Sequence, residues 1–222
     1  SAIDHADERI AAAETEVKRT FAAVTALGAQ LTAARQQAAT EMMDNLTQGL
    51  QELGMPSVQI LFDFTVRPRP DRMGCDAVRF LFTANKQMPL QDVAQTASGG
   101  EIARVMLTLK ALIAQKRNLP TIIFDEIDTG VSGTMAERMG RVMQRMGQTA
   151  QVLCITHLPQ IAALGKVHFW VHKQESDTGT TSNIRALSDE ERVQEIANML
   201  SGAAITDAAL ANARQLLNEG AQ

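Results

Sequence analysis

The sequence TIIFDEIDTGVSG, residues 121 to 133, says most about the fold. Its apolar start predicts a buried strand, and two adjacent acids, Asp125 and Glu126, follow at once. Neighbouring strand positions point to opposite sides, so one carboxylate can hold a Mg²⁺ shell while the other orients and deprotonates a water. Adjacent acids can also simply begin a solvated loop, so the pair alone does not decide between the two.

A second informative stretch lies upstream, where TASGGE at residues 96 to 101 runs into an apolar-periodic helix. Ser98 and Glu101 have the spacing of a capping box, and Gly99 and Gly100 would let a ligand approach the backbone N–H groups. Because a helix start carries unpaired donors and a partial positive charge, it favours an anion. The alternative is a well-capped helix without a ligand.

Two further polar residues follow the acids along the chain. Asp128 begins a glycine-bearing turn into the next helix, and a strand at residues 151 to 156 delivers His157 at its end. Parallel sheets bind ligands at the carboxyl ends of their strands. A lone histidine is more often structural than functional, but its place at a strand end favours a functional role.

The rest of the chain alternates helices and strands. The pattern predicts helices at residues 99 to 115, 133 to 146, 159 to 163, 189 to 200 and 207 to 218, and strands at 121 to 124, 152 to 156, 167 to 172 and 181 to 187. Residues 58 to 66 and 77 to 83 predict a separate antiparallel pair joined by a loop at 67 to 71. This order predicts an α/β fold, with a mostly parallel sheet flanked by helices.

Residues 1 to 53 contain no proline and repeat apolar residues every seven positions. The two series are Ile3, Ile10, Val17, Val24, Leu31, Ala38 and Ala6, Ala13, Thr20, Leu27, Ala34. They predict a long coiled-coil helix that packs against one antiparallel partner, which this chain lacks. An ordinary amphipathic surface helix is the alternative. We therefore predict two domains, an arm at residues 1 to 53 and a lobe at 54 to 222.

The composition excludes several kinds of site. With 45% hydrophobic residues and a net charge of −4, the 222-residue chain can bury a core but cannot coat nucleic acid by charge alone. Cys75 and Cys154 lack metal-ligand spacing, which argues against zinc or a disulfide framework and for a reduced cytosol. No apolar run has membrane-spanning length.

The motifs together are more specific than any one of them. Their order and spacing resemble the C-terminal lobe of ATP-binding-cassette (ABC) ATPase heads. Within that superfamily, FDEIDTGVSG, THLPQIAA, ERVQEIANMLSG and ITDAALANA resemble the RecN family, SMC-like ATPases of bacterial DNA repair. The resemblance covers about residues 42 to 218, and the N-terminal helix fits the returning arm of that family's antiparallel coiled coil.

The resemblance implies a role for each candidate residue. Ser98, Gly99, Gly100 and Glu101 match the signature motif, which contacts the γ-phosphate of ATP held by an opposing head. Asp125 matches the Walker B residue that binds magnesium through water, and Glu126 matches the general base. Asp128 matches the D-loop, which crosses the dimer interface. His157 matches the switch histidine, which senses the γ-phosphate.

One departure from the family pattern shapes the prediction. No GxxxxGK[ST] P-loop occurs in the chain. In the family it precedes the coiled coil, so we expect a C-terminal fragment that is inactive as an ATPase by itself. The expected cofactors are ATP and Mg²⁺. The expected partners are the N-terminal half with the P-loop, a second head in a homodimer, and DNA, with no membrane, in the cytoplasm at the bacterial nucleoid.

Two alternative functions and two weaker signals stay open at this point. The chain is alternatively a non-catalytic coiled-coil assembly module, or part of another SMC-like chromosome-maintenance ATPase. Arg67, Arg69 and Arg72 could touch DNA phosphate, but the sequence favours a solvated, charged hairpin tip, since no aromatic residues are interleaved for base stacking. His168 and His172 share a strand face without a third ligand, so we do not expect a metal there.

Overall fold

The computed structural model describes residues 2 to 96, 98 to 176, 179 to 202 and 204 to 220. Its helices are α1 (Ala2–Glu52), α2 (Val93–Thr96), α3 (Gly99–Arg117), α4 (Gly133–Met146), α5 (Pro159–Ala162), α6 (Asp189–Ser201) and α7 (Asp207–Gly220). Its strands are β1 (Gln59–Asp71), β2 (Gly74–Thr83), β3 (Gln91–Asp92), β4 (Thr121–Asp125), β5 (Gln151–Ile155), β6 (Phe169–Ser176) and β7 (Gly179–Ala186). Within these residues, no helix combines the length and apolar character needed to cross a bilayer.

The chain forms two compact units. The first contains Ser1–Gln48 and Ser57–Ala97, and the second contains Gly49–Pro56 and Ser98–Gln222. The first unit therefore holds strands as well as most of the long helix. The predicted division into an arm and a lobe at residue 53 stays a prediction.

The first unit is built from the helix and a small antiparallel sheet in the order β1-β2-β3. Phe62 pairs with Phe80, and their rings stack with centroids 5.2 Å apart. The predicted loop at residues 67 to 71 is wrong, because β1 continues to Asp71 through an irregular stretch of register. Arg67 explains the continuation, since its Nε donates to the carbonyl oxygen of Asp76 across the hairpin at 2.9 Å. Neither β3 nor α2 was predicted.

Helix α1 contacts the hairpin mainly through a face other than its heptad seam, although a Cβ at Gly74 would lie 3.0 Å from Leu31 of the seam. Gly28 approaches the hairpin so closely that a Cβ there would lie 2.1 Å from the Cys75 sulfur. Thr32 Oγ1 donates to Asp76 Oδ1 at 2.6 Å, and Arg35 forms an ion pair with the same carboxylate at 3.1 Å. At 100° per residue, this face lies about a quarter turn from the seam.

The heptad seam itself is exposed. Ile10, Val17 and Leu27 keep 58%, 65% and 65% of their surface accessible. The prediction of one long N-terminal helix is confirmed over its described residues. Its pairing with an antiparallel helix stays a prediction.

The second unit contains the parallel pair β4–β5, with Ile123 opposite Leu153. One face of the pair, including Ile122 and Phe124, is buried against α3 and α4 in the largest apolar cluster. The other face is open, since Ile123, Leu153 and Ile155 are all exposed. Strand β4 therefore has two apolar faces, one buried and one open.

The remaining elements complete the second unit. Strands β6 and β7 form a hairpin, and Phe169, Val171 and Ile184 expose an apolar face on it. Helices α6 and α7 bury Ile196 and Ala213 in a second cluster. The four predicted helices from α4 onward are confirmed to within two residues at each end. The α/β class is also confirmed, although only β4 and β5 pair in parallel among the described strands.

Candidate functional site

The first part of the candidate site is the start of α3. Ser98 caps the helix: its Oγ accepts from the Glu101 N–H at 3.4 Å, while Glu101 Oε2 accepts from the Ser98 N–H at 2.8 Å. This confirms the predicted capping box. A Cβ at Gly99 would meet nothing within 4 Å, so the helix start is open on that side. Its free N–H groups and partial positive charge suit an anionic ligand.

Two glycines join this helix start to the turn that follows β4. A Cβ at Gly100 would lie 2.9 Å from the carbonyl oxygen of Gly130. Gly130 has a φ of +75°, a left-handed conformation that favours glycine. The turn and the helix start therefore touch backbone to backbone, without room for a side chain between them.

The two adjacent acids end the first parallel strand. Asp125 is the last residue of β4 and is exposed, and the exposed Glu126 has a φ of +48°. The Glu126 N–H donates to the Ile155 carbonyl at 3.3 Å, and its own carbonyl accepts from Thr129 Oγ1 at 2.9 Å. The left-handed backbone, and not strand alternation alone, thus sets where Glu126 points. That conformation costs a non-glycine residue about 1 to 3 kcal/mol and occurs most often at functional sites.

Asp128 lies below this surface and is fully buried. Its Oδ2 accepts a short hydrogen bond from the Thr156 hydroxyl, and His157 Nδ1 lies 3.7 Å from the same oxygen. The imidazole is largely exposed. Among the described residues, the other oxygen, Oδ1, is buried with no hydrogen-bond partner. The carboxylate therefore links the end of β5 to the turn after β4.

The buried carboxylate also affects a neighbouring thiol. The pKa of Cys154 is raised to about 11, mainly by burial and further by the negative charge of Asp128. Sequence reasoning assigned no role to Thr156 or Cys154. A hydroxyl residue directly before a strand-end histidine is the signal that could have drawn attention to Thr156.

The structure brings the predicted residues into two groups of contacts. The first joins Asp128, Thr156 and His157, and the second joins Gly100 to Gly130. Glu126 is tied to β5 through its backbone. A groove of about 540 Å³ lined by Glu52, Arg138 and Arg145, among others, contains none of the predicted site residues.

The carboxylates at this edge suit Mg²⁺ only together with a nucleotide. No cluster of three or more His, Cys, Asp or Glu side chains suited to a metal occurs in the described part of the chain. Mg²⁺ bound with a nucleotide usually keeps several waters and takes only one or two carboxylates. The exposed carboxylate of Asp125 fits that mode, with the metal's other ligands coming from water and phosphate.

Comparison with known proteins gives a consistent picture. The DNA repair protein RecN of Vibrio cholerae is 37% identical over 220 residues, which cover 97% of this chain and 39% of that protein. RecN of Haemophilus influenzae is 39% identical over 202 residues, 90% of this chain and 36% of that protein. The chain belongs to the RecN family. This excludes the alternative assignment to a different SMC-like family.

Solved structures agree on the fold of this RecN-family chain. One solved chain comes from a structural study of ATP-driven dimerization and DNA stimulated activation of SMC ATPases. It matches with a TM-score of 0.54 and 16% sequence identity, and the match covers 76% of this chain and 97% of that one. The Smc head domain with a coiled coil and joint from Pyrococcus yayanosii also has a TM-score of 0.54, at 17% identity. That match covers 85% of this chain and 30% of that one. The fold is therefore α/β of the SMC-head type with a long helix. No protein-family model matches the chain.

The matched region is only part of each RecN relative. The chain spans less than two fifths of the length of these proteins. The RecN of Deinococcus radiodurans gives the same result, with 38% identity over 95% of this chain and 37% of that protein.

Proposed function

We propose that this chain supplies one half of the ATP-hydrolysing site of a RecN-family protein that acts in DNA double-strand-break repair and recombination. The observation that carries the proposal is a convergence at the end of β4 and β5. Glu126 and His157 lie at this edge together with the turn that starts at Asp128, and that turn touches the start of α3. Parallel-sheet proteins bind nucleotides at this edge.

The start of α3 would bind the γ-phosphate of ATP held by an opposing head. Ser98 fixes the helix start, which is open beside Gly99, where a Cβ would meet nothing within 4 Å. Backbone donors at a helix start bind phosphate without a side-chain charge.

The acids and the histidine would act on the chain's own nucleotide. Asp125 would hold Mg²⁺ through water, and that ion supplies charge neutralisation to the phosphate oxygens. Glu126 would orient the attacking water and accept its proton. His157 would contact the γ-phosphate, and Asp128 would belong to the turn that reaches the second head.

A second polypeptide segment would complete the site. The open faces of β4–β5 and of the β6–β7 hairpin leave Ile123, Ile155, Phe169, Val171 and Ile184 exposed. An apolar patch exposed on a sheet face usually marks an interface. We assign these faces to the N-terminal half of the same protein, which would bring the P-loop and the second arm of the coiled coil. The intact protein would work in the cytoplasm as a homodimer on DNA.

Complementation tests the proposal. We expect negligible ATP turnover from the chain alone, because it has no phosphate-cradling loop, and turnover after mixing with the P-loop-bearing half. Glu126→Gln should lower kcat by about 10²- to 10⁴-fold, the usual contribution of a general base, while the exposed Glu190→Gln should not. Robust turnover by the unmixed chain that Glu126→Gln abolishes would refute the half-site assignment.

The role of the helix start in the second head has its own test. Ser98→Arg should remove the restored turnover by blocking the phosphate position. Ser188→Arg is a matched control, because Ser188 caps α6 through the same capping box with Glu191. Each loses about 1 kcal/mol of capping. Equal effects of the two substitutions on turnover would contradict the γ-phosphate role.

The exposed heptad seam favours a second candidate function, a non-catalytic assembly module. In that case α1 would pair with a partner and the acids would have no role. It predicts that Glu126→Gln changes neither turnover nor DNA repair in the complete protein, while polar substitutions at Val17 and Val24 abolish assembly.

A further inference from the structure

The geometry points to Asp128 as a positioning residue inside its own lobe: its buried carboxylate, held by Thr156, orients His157 and fixes the turn that supports the start of α3. This inference rests on the proposed function for the roles of His157 and α3. It differs from the family expectation that this residue acts across the interface between two heads.

The burial of Asp128 is the first observation. Its surface is 0% exposed, whereas His157 keeps 69% of its side chain exposed. A side chain without accessible surface cannot contact a second head unless the turn rearranges. The neighbouring imidazole is free to meet a ligand.

The hydrogen bonds of Thr156 give the second observation. Its hydroxyl proton goes to Asp128 Oδ2, and its oxygen accepts from the Leu158 N–H at 3.0 Å. The hydroxyl thus donates one hydrogen bond and accepts another, which fixes its orientation. Hydrogen bonds to charged acceptors contribute more than neutral ones, so Thr156 holds the carboxylate next to His157 Nδ1 at 3.7 Å.

The turn that begins at Asp128 connects the held carboxylate to the start of α3. The Val131 N–H donates to the Asp128 carbonyl at 3.1 Å and closes the turn. Within it, Gly130 lies against the backbone of Gly100. A displacement of Asp128 would therefore move both the surface that supports α3 and the group next to His157.

The unpartnered Oδ1 shows that the arrangement can accept one more donor. It is buried and has no hydrogen-bond partner within the described residues. Leaving a charged acceptor unsatisfied costs more than a typical hydrogen bond contributes. The hydrogen bond from Thr156 to Oδ2 is therefore the one that holds this carboxylate.

The test measures His157 directly in the 222-residue chain, without nucleotide. NMR of the imidazole nitrogens, assigned with His157→Gln, would be combined with amide hydrogen exchange at Thr129 and Glu101. We expect Asp128→Asn and Thr156→Val to shift the His157 nitrogen signals and speed exchange about tenfold, the loss of roughly one hydrogen bond. Thr156→Ser should retain both signals and protection.

Thr121→Val is the matched control. Thr121 lies at the other end of the same strand pair and also loses a side-chain hydrogen bond, to Gln151 at 3.0 Å. It should leave His157 unchanged. Wild-type His157 signals and wild-type amide protection in Thr156→Val would overturn the inference. Because valine has nearly the same shape as threonine, this variant still gives a result if Asp128→Asn does not fold.

The ATPase of the completed head separates this inference from the proposed function. If both hold, Thr156→Val lowers kcat with little change in KM. Shifted His157 signals in a head that never hydrolyses ATP would refute the proposed function alone. Unmoved signals in an active head would refute the positioning role alone.

Discussion

At the scale of single residues, the candidate site depends on backbone conformations that side-chain chemistry does not reveal. Glu126 and Gly130 both have left-handed backbones within one short turn. The first ends the extended conformation of β4 at Glu126, and the second allows contact with α3. The site is thus organised by the turn as much as by its charged groups.

Gly130→Ala should destabilise the second unit by about 1 to 2 kcal/mol, the cost of a left-handed alanine. Its methyl group would also lie 3.4 Å from the Gly100 nitrogen. Urea unfolding followed by circular dichroism measures the effect. Gly99→Ala is the control, because its Cβ meets nothing within 4 Å. An equal loss in both variants would contradict the proposed contact.

Residues also show where sequence reasoning succeeds and where it stops. The capping box of Ser98 and Glu101 was predictable because both partners lie within one helical turn. The position of the Asp128 carboxylate was not, because its partner Thr156 lies 28 residues away, just after the end of β5. The left-handed conformation of Glu126 has no local signal, since glutamate carries no preference for it.

At the scale of elements, α1 and its hairpin are joined by one buried carboxylate. Asp76 accepts from Thr32 and Arg35 of the helix. The Thr32 hydrogen bond holds the pKa of Asp76 below its ordinary value, burial opposes this, and Arg35 adds to the lowering. The connection is therefore sensitive to acid.

The first unit should lose stability as pH falls. Because the folded pKa of Asp76 lies below the unfolded value of about 3.9, its contribution is complete above that value and is lost as pH falls through the folded pKa. Thr32→Val should move this loss to higher pH, as followed by thermal melting across a pH series. Thr25→Val, whose hydroxyl bonds only within the helix at Phe21, should not. Identical acid profiles for both variants would contradict the assignment.

Helices and strands were predicted well where the local apolar periodicity determines them. They were predicted less well where contacts with distant residues determine the conformation. Helix α4 was predicted at its exact bounds from its apolar spacing. The continuation of β1 through Arg67 depends on an acceptor in the opposite strand, so a proline-rich stretch that reads as a loop is a strand. The hairpin face of α1, at Gly28 and Thr32, lacks the apolar residues that mark a packing stripe.

At the scale of the whole molecule, the chain exposes apolar faces on two of its strand pairs. Its RecN relatives are more than twice as long. The open apolar faces on β4–β5 and on the β6–β7 hairpin are the ones proposed to bind the P-loop-bearing half. These exposed faces were not predicted. A strand that is apolar on both sides is interpreted as buried, whether or not another element packs on each side.

Ile123→Lys should weaken binding of the P-loop-bearing half at least tenfold, because burying isoleucine contributes about 1.5 to 3 kcal/mol and tenfold is 1.4 kcal/mol. Titration calorimetry measures the affinity. Val66→Lys is the control, an exposed apolar residue at 88% accessibility in the other unit. Unchanged affinity for Ile123→Lys would place the partner elsewhere.

The close approach of Gly28 to Cys75 has a mechanical consequence for the 51-residue helix α1. At 1.5 Å per residue the helix is about 75 Å long, so a tilt of about 10° displaces its far end by about 13 Å. A glycine inside a helix is a weak point where bending would dissipate such a movement. Here the hairpin sulfur fills the space that glycine leaves. The hairpin therefore braces the helix at this glycine and would resist bending there.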